Sequence, residues 1–248
     1  MKYYHPKFDL EQAFQPVHLE EAQAFRYKAF GVANETGLEC DEYDKKFKHI
    51  LIRDRQNRRV VGYFRYIFYK SGALVQNGYS AAYYDLKKIE SFDRPLLEVG
   101  RVCTDPSLKD PDILRLVWAY LANCIKLKKI AFIFGCSSFE GTDQNKYTDS
   151  FAVLQLRHLG PKNLLPSIKS PAVFKFAKVL KADPNFKIAI LKMPSLLRAY
   201  LLMGGWVSDH AVIDKKLNTL HVFTGLEVSK IPNACLLYTS DAADDTPC

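Results

Sequence analysis

The spacing of apolar positions in the first half of the chain predicts one helix followed by a pair of strands. Residues 18–33 repeat alanine and phenylalanine near a 3.6-residue period, which indicates an amphipathic helix. Residues 49–53 and 59–69 are rich in β-branched and aromatic residues and are separated by a short polar run, as in an antiparallel hairpin. Residues 95–103 are nearly all apolar, so we expect a central strand there.

The second half begins with the clearest helix signal in the chain. Asp110 is a suitable helix cap, Pro111 suits the first helical position, and the apolar stripe that follows runs to Cys124. A short apolar strand is predicted at 130–134, followed by an exposed turn of small residues at 135–143. Further elements are expected as helices at 148–158 and 195–202 and as strands at 211–214 and 220–227. This alternation predicts an α/β fold.

A basic segment interrupted by prolines, residues 160–192, separates two of these helices. It contains seven lysines interleaved with Phe174, Phe176 and Phe186. Because proline interrupts regular structure, we predict that this segment lies over the surface. Apolar rings among lysines would also suit a noncatalytic adaptor that binds anionic lipid, which is an alternative of a different class from an enzyme.

The charge of the chain is strongly positive, and more so when its last residues are set apart. The 248 residues include 35 lysines and arginines and 27 acidic residues, a formal net charge of +8. Residues 234–248 resemble the peptide encoded by a sequencing-library adapter, so we predict a single domain over 1–233. Without the three aspartates of this tail the net charge is +11, which would attract anionic lipid, nucleic acid or an acidic protein.

Several classes of protein lack their signatures in this sequence. No apolar run is long enough to span a bilayer, and the first residues lack the apolar core of a secretory signal, so we expect a cytoplasmic protein. The cysteines are not spaced as zinc ligands, and no metal is expected. Phosphate loops, dinucleotide-binding loops and nucleophile elbows are absent. No recognised motif accompanies the basic charge, so nucleic-acid binding is the weakest alternative and we predict none.

Two charged residues, Glu98 and Arg101, interrupt the apolar run at 95–103. An unpaired charge in a buried strand is costly, so each must be paired or face a cleft. A buried carboxylate beside a cleft is a candidate general base, whereas the commoner meaning of this spacing is a structural ion pair. Residues three apart on a regular strand point to opposite faces. A shared site therefore requires a bulge, for which Gly100 is the favoured position.

Other charged residues also stand out against their neighbours. Asp41 and Asp44 lie just before the first strand of the hairpin, where they would either receive a cationic amine or cap a loop. Arg26 and Arg65 lie among apolar and aromatic residues, where an isolated arginine most often extends to solvent. Cys136 has no histidine in a sequence relation that indicates activation as a nucleophile.

Seven stretches of the chain share their order with a known group of enzymes. They are FRYKAF (25–30), DEYDKKFKHILI (41–52), VVGYFRY (60–66), LLEVGRVC (96–103), LRLVWAYL (114–121), FGCSSFEGTD (134–143) and the segment 194–223. In this order they resemble the ornithine N-acyltransferases of bacterial ornithine-lipid synthesis. The resemblance to autoinducer synthases and long-chain N-acyl amino acid synthases is more distant. All of these are GNAT-like acyltransferases.

This resemblance implies a GNAT-like acyl-CoA N-acyltransferase fold, in which helices flank a mixed central sheet. It implies transfer of a 3-hydroxyacyl chain from acyl carrier protein to the α-amine of ornithine, giving a lyso-ornithine lipid. The phosphopantetheine thioester is the donor substrate in such a reaction, with no metal or redox cofactor. Another amino acid as acceptor, or the S-adenosylmethionine used by acyl-homoserine lactone synthases, is the alternative within this class.

The resemblance also assigns site residues. Glu98 and Arg101 are the catalytic candidates, and an amine that attacks a thioester must be neutral, so we expect Glu98 to be the base. Backbone N–H groups beside Gly100 to Cys103 are the expected donors to the oxyanion. The substrate-binding candidates are Arg26, Phe30, Asp41, Asp44, Arg65, Cys103, Ser137, Ser138 and Phe139.

The predicted acyl donor is a carrier protein. The sequence has no Q/R-x-x-G-x-G/A loop of the kind by which CoA-dependent GNAT enzymes resemble one another. Carrier proteins are acidic, so a basic surface would speed their encounter with the enzyme. The docking candidates on the helix after Asp110 are Arg115, Lys126, Lys128 and Lys129. The lipid product also predicts peripheral contact with the anionic inner membrane.

Overall fold

Ten strands and eight α-helices lie in the described part of the chain, which in this computed structural model comprises residues 5–108, 110–179 and 183–232. The strands are β1 (Phe8–Gln12), β2 (Lys48–Asp54), β3 (Val60–Tyr69), β4 (Tyr84–Asp85), β5 (Leu96–Thr104), β6 (Phe132–Glu140), β7 (Ser167–Ile168), β8 (Val173–Phe174), β9 (Trp206–Asp214) and β10 (Thr219–Glu227). The helices are α1 (Pro16–Phe30), α2 (Ser80–Tyr83), α3 (Lys87–Glu90), α4 (Asp112–Lys128), α5 (Thr148–Arg157), α6 (Phe176–Val179), α7 (Phe186–Lys192) and α8 (Ser195–Leu202). The α/β prediction is confirmed, and the tail at 234–248 lies outside the described residues. None of the described helices is long and apolar enough to cross a bilayer.

The chain divides into two compact units, each built from separate stretches of sequence. Among the described residues, the first comprises 5–67, 99–108 and 110–130, and the second comprises 68–98, 131–179 and 183–232. The division falls within β3 and β5, so Glu98 belongs to the second unit and Arg101 to the first. The prediction of one domain over 1–233 stays a prediction.

Three antiparallel strands and a helix organise the first unit. β1 pairs with β2, and β2 pairs with β3, which confirms the predicted hairpin. Its polar connection includes Arg58 in the left-handed region, with φ 60°. α1 packs on this sheet through Ala22, which lies in a buried cluster with Leu51 and Tyr63.

The boundaries of the two long helices in this unit follow from local chemistry. α1 begins with Pro16, whose restricted φ suits a first turn, and ends at Gly31, which adopts φ 61°. Before α4, Asp110 Oδ1 accepts a hydrogen bond from the Asp112 N–H at 2.9 Å. Asp110 therefore satisfies an N–H of the first turn as predicted, although Pro111 lies at the capping position and not at the first helical one. The buried face of α4 is formed by Ile113, Leu116, Val117, Ala119, Leu121 and Cys124.

Four antiparallel strands form the main sheet of the second unit, in the order β6-β10-β9-β8. β6 extends to Glu140, so the exposed turn predicted at 135–143 is wrong over residues 135–140. Gly135 pairs with Thr224 and Glu140 pairs with Thr219 on β10. Small polar residues have low strand propensity, but pairing with a strand that lies far away in the sequence outweighs that preference.

The core of the second unit is aromatic and includes part of the basic segment at 160–192. Phe151 of α5 packs against Phe174 and Phe176, with ring centroids 5.5 and 5.1 Å apart. Both partner rings are buried, so the prediction that this segment lies over the surface is wrong for them. Full burial of a phenylalanine side chain contributes about 1.5–3 kcal/mol, which draws the rings inward while Lys175 between them stays exposed.

Candidate active site

The predicted base, Glu98, is a buried carboxylate with two fixed hydrogen-bond donors. It lies near the start of β5 and is 1% exposed. Its Oε2 accepts a hydrogen bond from Tyr69 Oη at 2.7 Å, and its Oε1 accepts one from the Ser80 N–H at 2.6 Å. Both donors are neutral groups, and hydrogen bonds of this kind stabilise a negative carboxylate. The two hydrogen bonds therefore hold the Glu98 carboxylate, a group that can accept a proton, in one orientation.

Close packing around this carboxylate depends on Gly78, which the sequence analysis missed. A Cβ built at this position would clash with Oε2 of Glu98 and with Oη of Tyr69. Gly78 has φ −91°, a conformation that any residue adopts, so space and not backbone freedom requires glycine here. No turn motif marks Gly78 in the sequence, so its role is visible only in the packed structure.

Ser80 and Tyr69 connect Glu98 to β6. The Cys136 Sγ donates to the Ser80 Oγ at 3.6 Å, and the Tyr69 ring stacks on the Phe134 ring with centroids 6.0 Å apart. All of these residues belong to the second unit. We name as the Glu98 cluster the residues Tyr69, Gly78, Ser80, Glu98 and Cys136.

Three arginines and three carboxylates form a buried network in the first unit. Its members are Arg26, Glu39, Asp41, Asp44, Arg65 and Arg101. Arg26 donates to both oxygens of Asp44, at 2.7 and 2.8 Å, and its Nε lies 2.5 Å from Glu39 Oε2. Arginine contacts of this two-point kind are the strong and geometrically specific form of an ion pair.

Arg65 and Arg101 complete this network. Arg65 donates to Asp41 at 2.7 and 2.6 Å and to Asp44 at 2.5 Å. The Arg101 Nη2 lies 3.1 Å from Glu39 and 3.0 Å from Asp41. The structure thus brings five predicted site residues together and adds Glu39, which the sequence analysis missed. Its acidic side chain two residues before Asp41 is the signal that would have pointed to it.

Burial and pairing set the charge state of this network. Arg26 and Arg65 are 0% and 1% exposed, so the prediction that each extends to solvent is wrong. Burial acts to raise the pKa of Asp41 and of Asp44, but hydrogen bonds and charges from the arginines outweigh it and lower both pKa values. Both carboxylates are therefore ionised near neutral pH, and each buried arginine has a negative partner.

A short 3-10 turn at Glu42–Lys45 positions the two aspartates. Asp41 Oδ1 accepts from the Tyr43 N–H at 3.0 Å, and Asp44 Oδ2 accepts from the Asp41 N–H at 3.4 Å. This is the reciprocal arrangement of a capping box. The capping alternative for these residues is confirmed, and reception of a cationic amine stays a prediction.

His49 and Tyr63 join the network from the hairpin, and neither was predicted. A carbonyl oxygen only accepts, so the His49 Nε2 donates to the Asp44 carbonyl at 2.8 Å. The His49 Nδ1 therefore accepts from the Tyr63 Oη at 2.6 Å. Burial lowers the pKa of His49, which keeps its ring neutral in this position. The two residues consequently fix the orientation of the loop that carries Asp44.

Arg101 interrupts the regular conformation of β5. It adopts φ 54°, in the left-handed region, which is costly for a residue with a side chain. Its contacts with Glu39 and Asp41 stabilise this conformation. The bulge was predicted at Gly100, whereas the residue with the irregular backbone conformation is Arg101, one position later. Alternation does not continue through a left-handed residue, so spacing alone does not assign the faces of Glu98 and Arg101.

Two further candidates lie at the edges of elements in the first unit. Phe30 is the last residue of α1 and is half-buried. Cys103 lies on β5, also half-buried, and packs against the cluster around Ala22. Burial raises the pKa of the Cys103 thiol, so this side chain stays protonated and is not a nucleophile. Their contact with substrate stays a prediction.

The three candidates on β6 do not share one face of the strand. Ser137 is buried, and its Oγ accepts from the Thr224 Oγ1 at 2.9 Å. Phe139 is buried in the aromatic core, and Ser138 is exposed. Because side chains alternate along a strand, Ser137 and Phe139 point to the opposite face from Ser138. Ser138 therefore cannot line the same surface as Ser137 and Phe139.

The carrier-protein docking candidates lie on the exposed side of α4. Lys126, Lys128 and Lys129 surround Leu127, which is exposed, at the end of the helix. Arg115 is also exposed, but it pairs with Asp112 at 2.7 Å and lies about 16 Å away along the helix axis. The three lysines at the end of α4 are named here the basic patch of α4, and Arg115 does not belong to it.

A second buried polar cluster, which had no sequence signal, lies in the second unit. Tyr84 Oη donates to the His221 carbonyl at 2.8 Å, and the Tyr84 ring lies 5.2 Å from the His210 ring. The His210 Nδ1 lies 2.6 Å from Asp209 Oδ1. Burial raises the pKa of Tyr84 well above its usual value, so its hydroxyl stays protonated. Among the described residues, no group of three or more His, Cys, Asp or Glu is arranged to hold a metal ion.

Comparison with known proteins gives matches along almost the whole chain. The family described as acetyltransferase (GNAT) domain matches residues 22–119. An L-ornithine N(alpha)-acyltransferase of Rhodobacter capsulatus is 29% identical over 229 residues, which is 87% of this chain and 88% of that protein. An L-ornithine N(alpha)-acyltransferase of Brucella abortus is 26% identical over 251 residues, which is 89% of this chain and 84% of that protein.

A solved structure shares the fold. A CoA-dependent acyl-homoserine lactone synthase superposes with a TM-score of 0.50 at 12% identity and covers 96% of this chain and 97% of its own. The predicted GNAT-like fold is confirmed. The same relatives favour the predicted enzyme over the noncatalytic adaptor.

Proposed function

We propose that this chain, which is an acyltransferase with the GNAT-like fold and resembles L-ornithine N(alpha)-acyltransferases, transfers a 3-hydroxyacyl chain to the α-amine of ornithine. The donor is the phosphopantetheine thioester of acyl carrier protein. The product is an N-acylated amino acid, and the second product is the free thiol of the carrier.

The reaction needs one group that accepts a proton. The α-ammonium of the acceptor loses a proton, and the neutral nitrogen attacks the thioester carbonyl carbon to form a C–N bond. The resulting tetrahedral oxyanion collapses, the C–S bond breaks, and the second proton leaving nitrogen reaches the thiolate.

The observation that carries the proposal is the setting of Glu98. Its two oxygens are held by Tyr69 Oη and by the Ser80 N–H, so the carboxylate cannot rotate freely. A base held in one orientation loses little entropy when it meets its substrate. The Tyr69 hydroxyl already donates to this carboxylate, so it also provides a route by which a proton from the amine reaches Glu98.

The support for a carrier-protein donor is electrostatic. The chain carries a formal charge of +8, and the lysines at the end of α4 form an exposed basic patch around Leu127. An acidic carrier would be attracted to such a patch. A CoA donor is the alternative, and the two donors share the same thioester chemistry.

Donor and acceptor can be tested together with the purified chain. A 3-hydroxyacyl thioester of either acyl carrier protein or CoA is incubated with ornithine, lysine, glutamine or S-adenosylmethionine, and products are analysed by mass spectrometry. We expect acylated ornithine from the carrier-protein donor. Acylation of another acceptor would overturn the ornithine assignment, and equal rates with CoA would overturn the donor assignment.

The role of Glu98 is tested by Glu98→Gln, which keeps the shape of the side chain and removes the base. We expect a loss of turnover of about 10²-fold or more, because general-base catalysis typically contributes that much. Turnover is measured under saturating substrates, and folding is checked by thermal denaturation. Glu140→Gln, at an exposed position in the same unit, is the matched control and should retain activity. Full activity of Glu98→Gln would remove the proposed base without contradicting the reaction itself.

A further inference from the structure

α7 presents apolar side chains to solvent around most of its surface. Phe186, Ile188, Ile190 and Leu191 are all exposed, Leu191 to 80%. Ala189 is the buried residue of this helix. A helix of a globular protein normally turns an apolar stripe to the core and polar residues to solvent. Contiguous exposed apolar surface is instead typical of an interaction site.

Specific contacts hold α7 in this position. The Ser150 Oγ of α5 donates to the Ala189 carbonyl at 2.8 Å. Asn185 caps the helix by accepting from the Ile188 N–H at 3.1 Å. The exposure of the apolar side chains is therefore a property of the packed helix.

α8 extends the same surface. Arg198 reaches the Ile190 carbonyl at 3.4 Å, which joins the two helices. Leu202 follows Arg198 by one turn on the same side of α8 and is 78% exposed. We name as the α7 face the side chains of Phe186, Ile188, Ile190, Leu191 and Leu202.

Basic side chains surround the α7 face. The Arg157 guanidinium lies 4.2 Å from the centre of the Phe186 ring, and Lys192 Nζ donates to the Lys146 carbonyl at 3.0 Å. The basic residues on α7 and on the segments that contact it are Lys146, Arg157, Lys187, Lys192 and Arg198. The acidic residues there are Asp143, which caps the turn that carries Lys146, Asp149, which accepts from the Asn185 N–H at 2.9 Å, and Asp183. The basic residues outnumber the acidic ones, so the surroundings of the α7 face are positively charged.

We propose that the α7 face docks on the surface of an anionic lipid bilayer. Apolar side chains that project from most sides of a short helix suit an interface without fixed shape, and lysines around them suit anionic headgroups. A second copy of the chain would bring the same positive charges together, so charge disfavours self-association. The inference rests on this surface alone and stands apart from the proposed donor and acceptor.

Vesicle co-sedimentation of the full chain tests this docking. We expect binding to phosphatidylcholine vesicles that contain about one third phosphatidylglycerol and little binding to pure phosphatidylcholine, with the difference reduced at high salt. The double variant Ile190→Ser with Leu191→Ser should lower the partition coefficient by about tenfold or more. Lys187→Glu with Lys192→Glu should lower it only for the anionic vesicles.

Phe14→Ser is the matched control, because Phe14 is also 80% exposed but belongs to the first unit. It should bind vesicles as the wild type does, and thermal denaturation should show that all variants fold. Unchanged binding of the Ile190 and Leu191 variant, or equal binding to neutral vesicles, would overturn the proposal. Absence of vesicle binding by the wild type would also overturn it. In that case, a loss of affinity for acyl carrier protein in the Ile190 and Leu191 variant would assign the α7 face to the carrier, and dissociation of a dimer would assign it to a second copy of the chain.

Discussion

Glu98 illustrates how a single side chain is prepared for chemistry by its neighbours. Two donors fix its oxygens, and the missing side chain of Gly78 leaves room for the carboxylate and for the Tyr69 hydroxyl. A buried carboxylate without such donors would be costly by several kcal/mol. The two donors therefore fix the direction of the carboxylate oxygens and provide part of the hydrogen bonding that burial takes away.

Gly78→Ala tests whether this close packing matters. The added methyl group would overlap Oε2 of Glu98 and Oη of Tyr69, so the carboxylate must rotate away from its donors. We expect turnover to fall about tenfold or more, because small displacements of a catalytic group are costly. Thermal denaturation of Gly78→Ala provides the control, because a loss of turnover in a folded variant is assigned to the position of the carboxylate. Wild-type turnover of Gly78→Ala would contradict the importance of the carboxylate position.

The loop at 39–45 shows how a segment without regular secondary structure gains a defined conformation. The 3-10 turn at Glu42–Lys45 is capped from within, and its aspartates then pair with arginines from α1 and β3. Replacement of one partner in a buried ion pair leaves the other charge without compensation. The loop and the arginines therefore depend on one another for stability.

Asp44→Asn measures this dependence. We expect the free energy of unfolding at pH 7 to fall by about 3 kcal/mol or more, because Arg26 and Arg65 lose a charged partner. The pKa of Asp44 is lowered on folding, so its stabilising contribution is present above its unfolded pKa of about 3.9 and is lost as the pH falls further. The difference in the free energy of unfolding between wild type and variant should therefore become smaller at acidic pH.

Urea denaturation at several pH values provides the measurement. Asp93→Asn, at an exposed position, is the control and should change the free energy of unfolding by less than about 0.5 kcal/mol. If the free energies of unfolding of wild type and Asp44→Asn differed by the same amount at neutral and acidic pH, the ionised state assigned to Asp44 would be contradicted.

The molecule as a whole is basic, and its encounter with an acidic carrier should depend on salt. Raising the salt concentration shortens the range of the attraction, so the KM for the acylated carrier should rise while the rate under saturating donor stays constant. An acyl-pantetheine thioester, which carries no phosphate, should show little dependence on salt.

The basic patch of α4 makes this prediction specific. Lys126→Glu with Lys128→Glu should raise the KM for the acylated carrier and leave that for acyl-pantetheine unchanged. Lys215→Glu with Lys216→Glu applies the same charge change at exposed positions in the second unit and should have a smaller effect. Equal effects of both double variants would assign the attraction to net charge alone.

Much of the architecture follows from local patterns. The hairpin of β2 and β3 and the helix at α4 are encoded by periodicity and by residues at their ends, because these preferences act within a few residues. α1 lies where a helix was predicted, but its buried residues are Ala22 and Arg26, so the predicted apolar stripe is not its buried face. Five of the six members of the buried network were named from the sequence as catalytic or substrate-binding candidates, but their pairing with one another was not predicted.

The remaining features depend on residues that are distant in sequence. The run at 135–140 is a strand because β10 pairs with it, and Phe174 and Phe176 are buried because Phe151 packs against them. Which carboxylate pairs with which arginine, where β5 departs from extended geometry and why Gly78 lacks a side chain have no local signature. Each is a matter of atoms that meet only after the chain has packed, and no short window of sequence contains both partners.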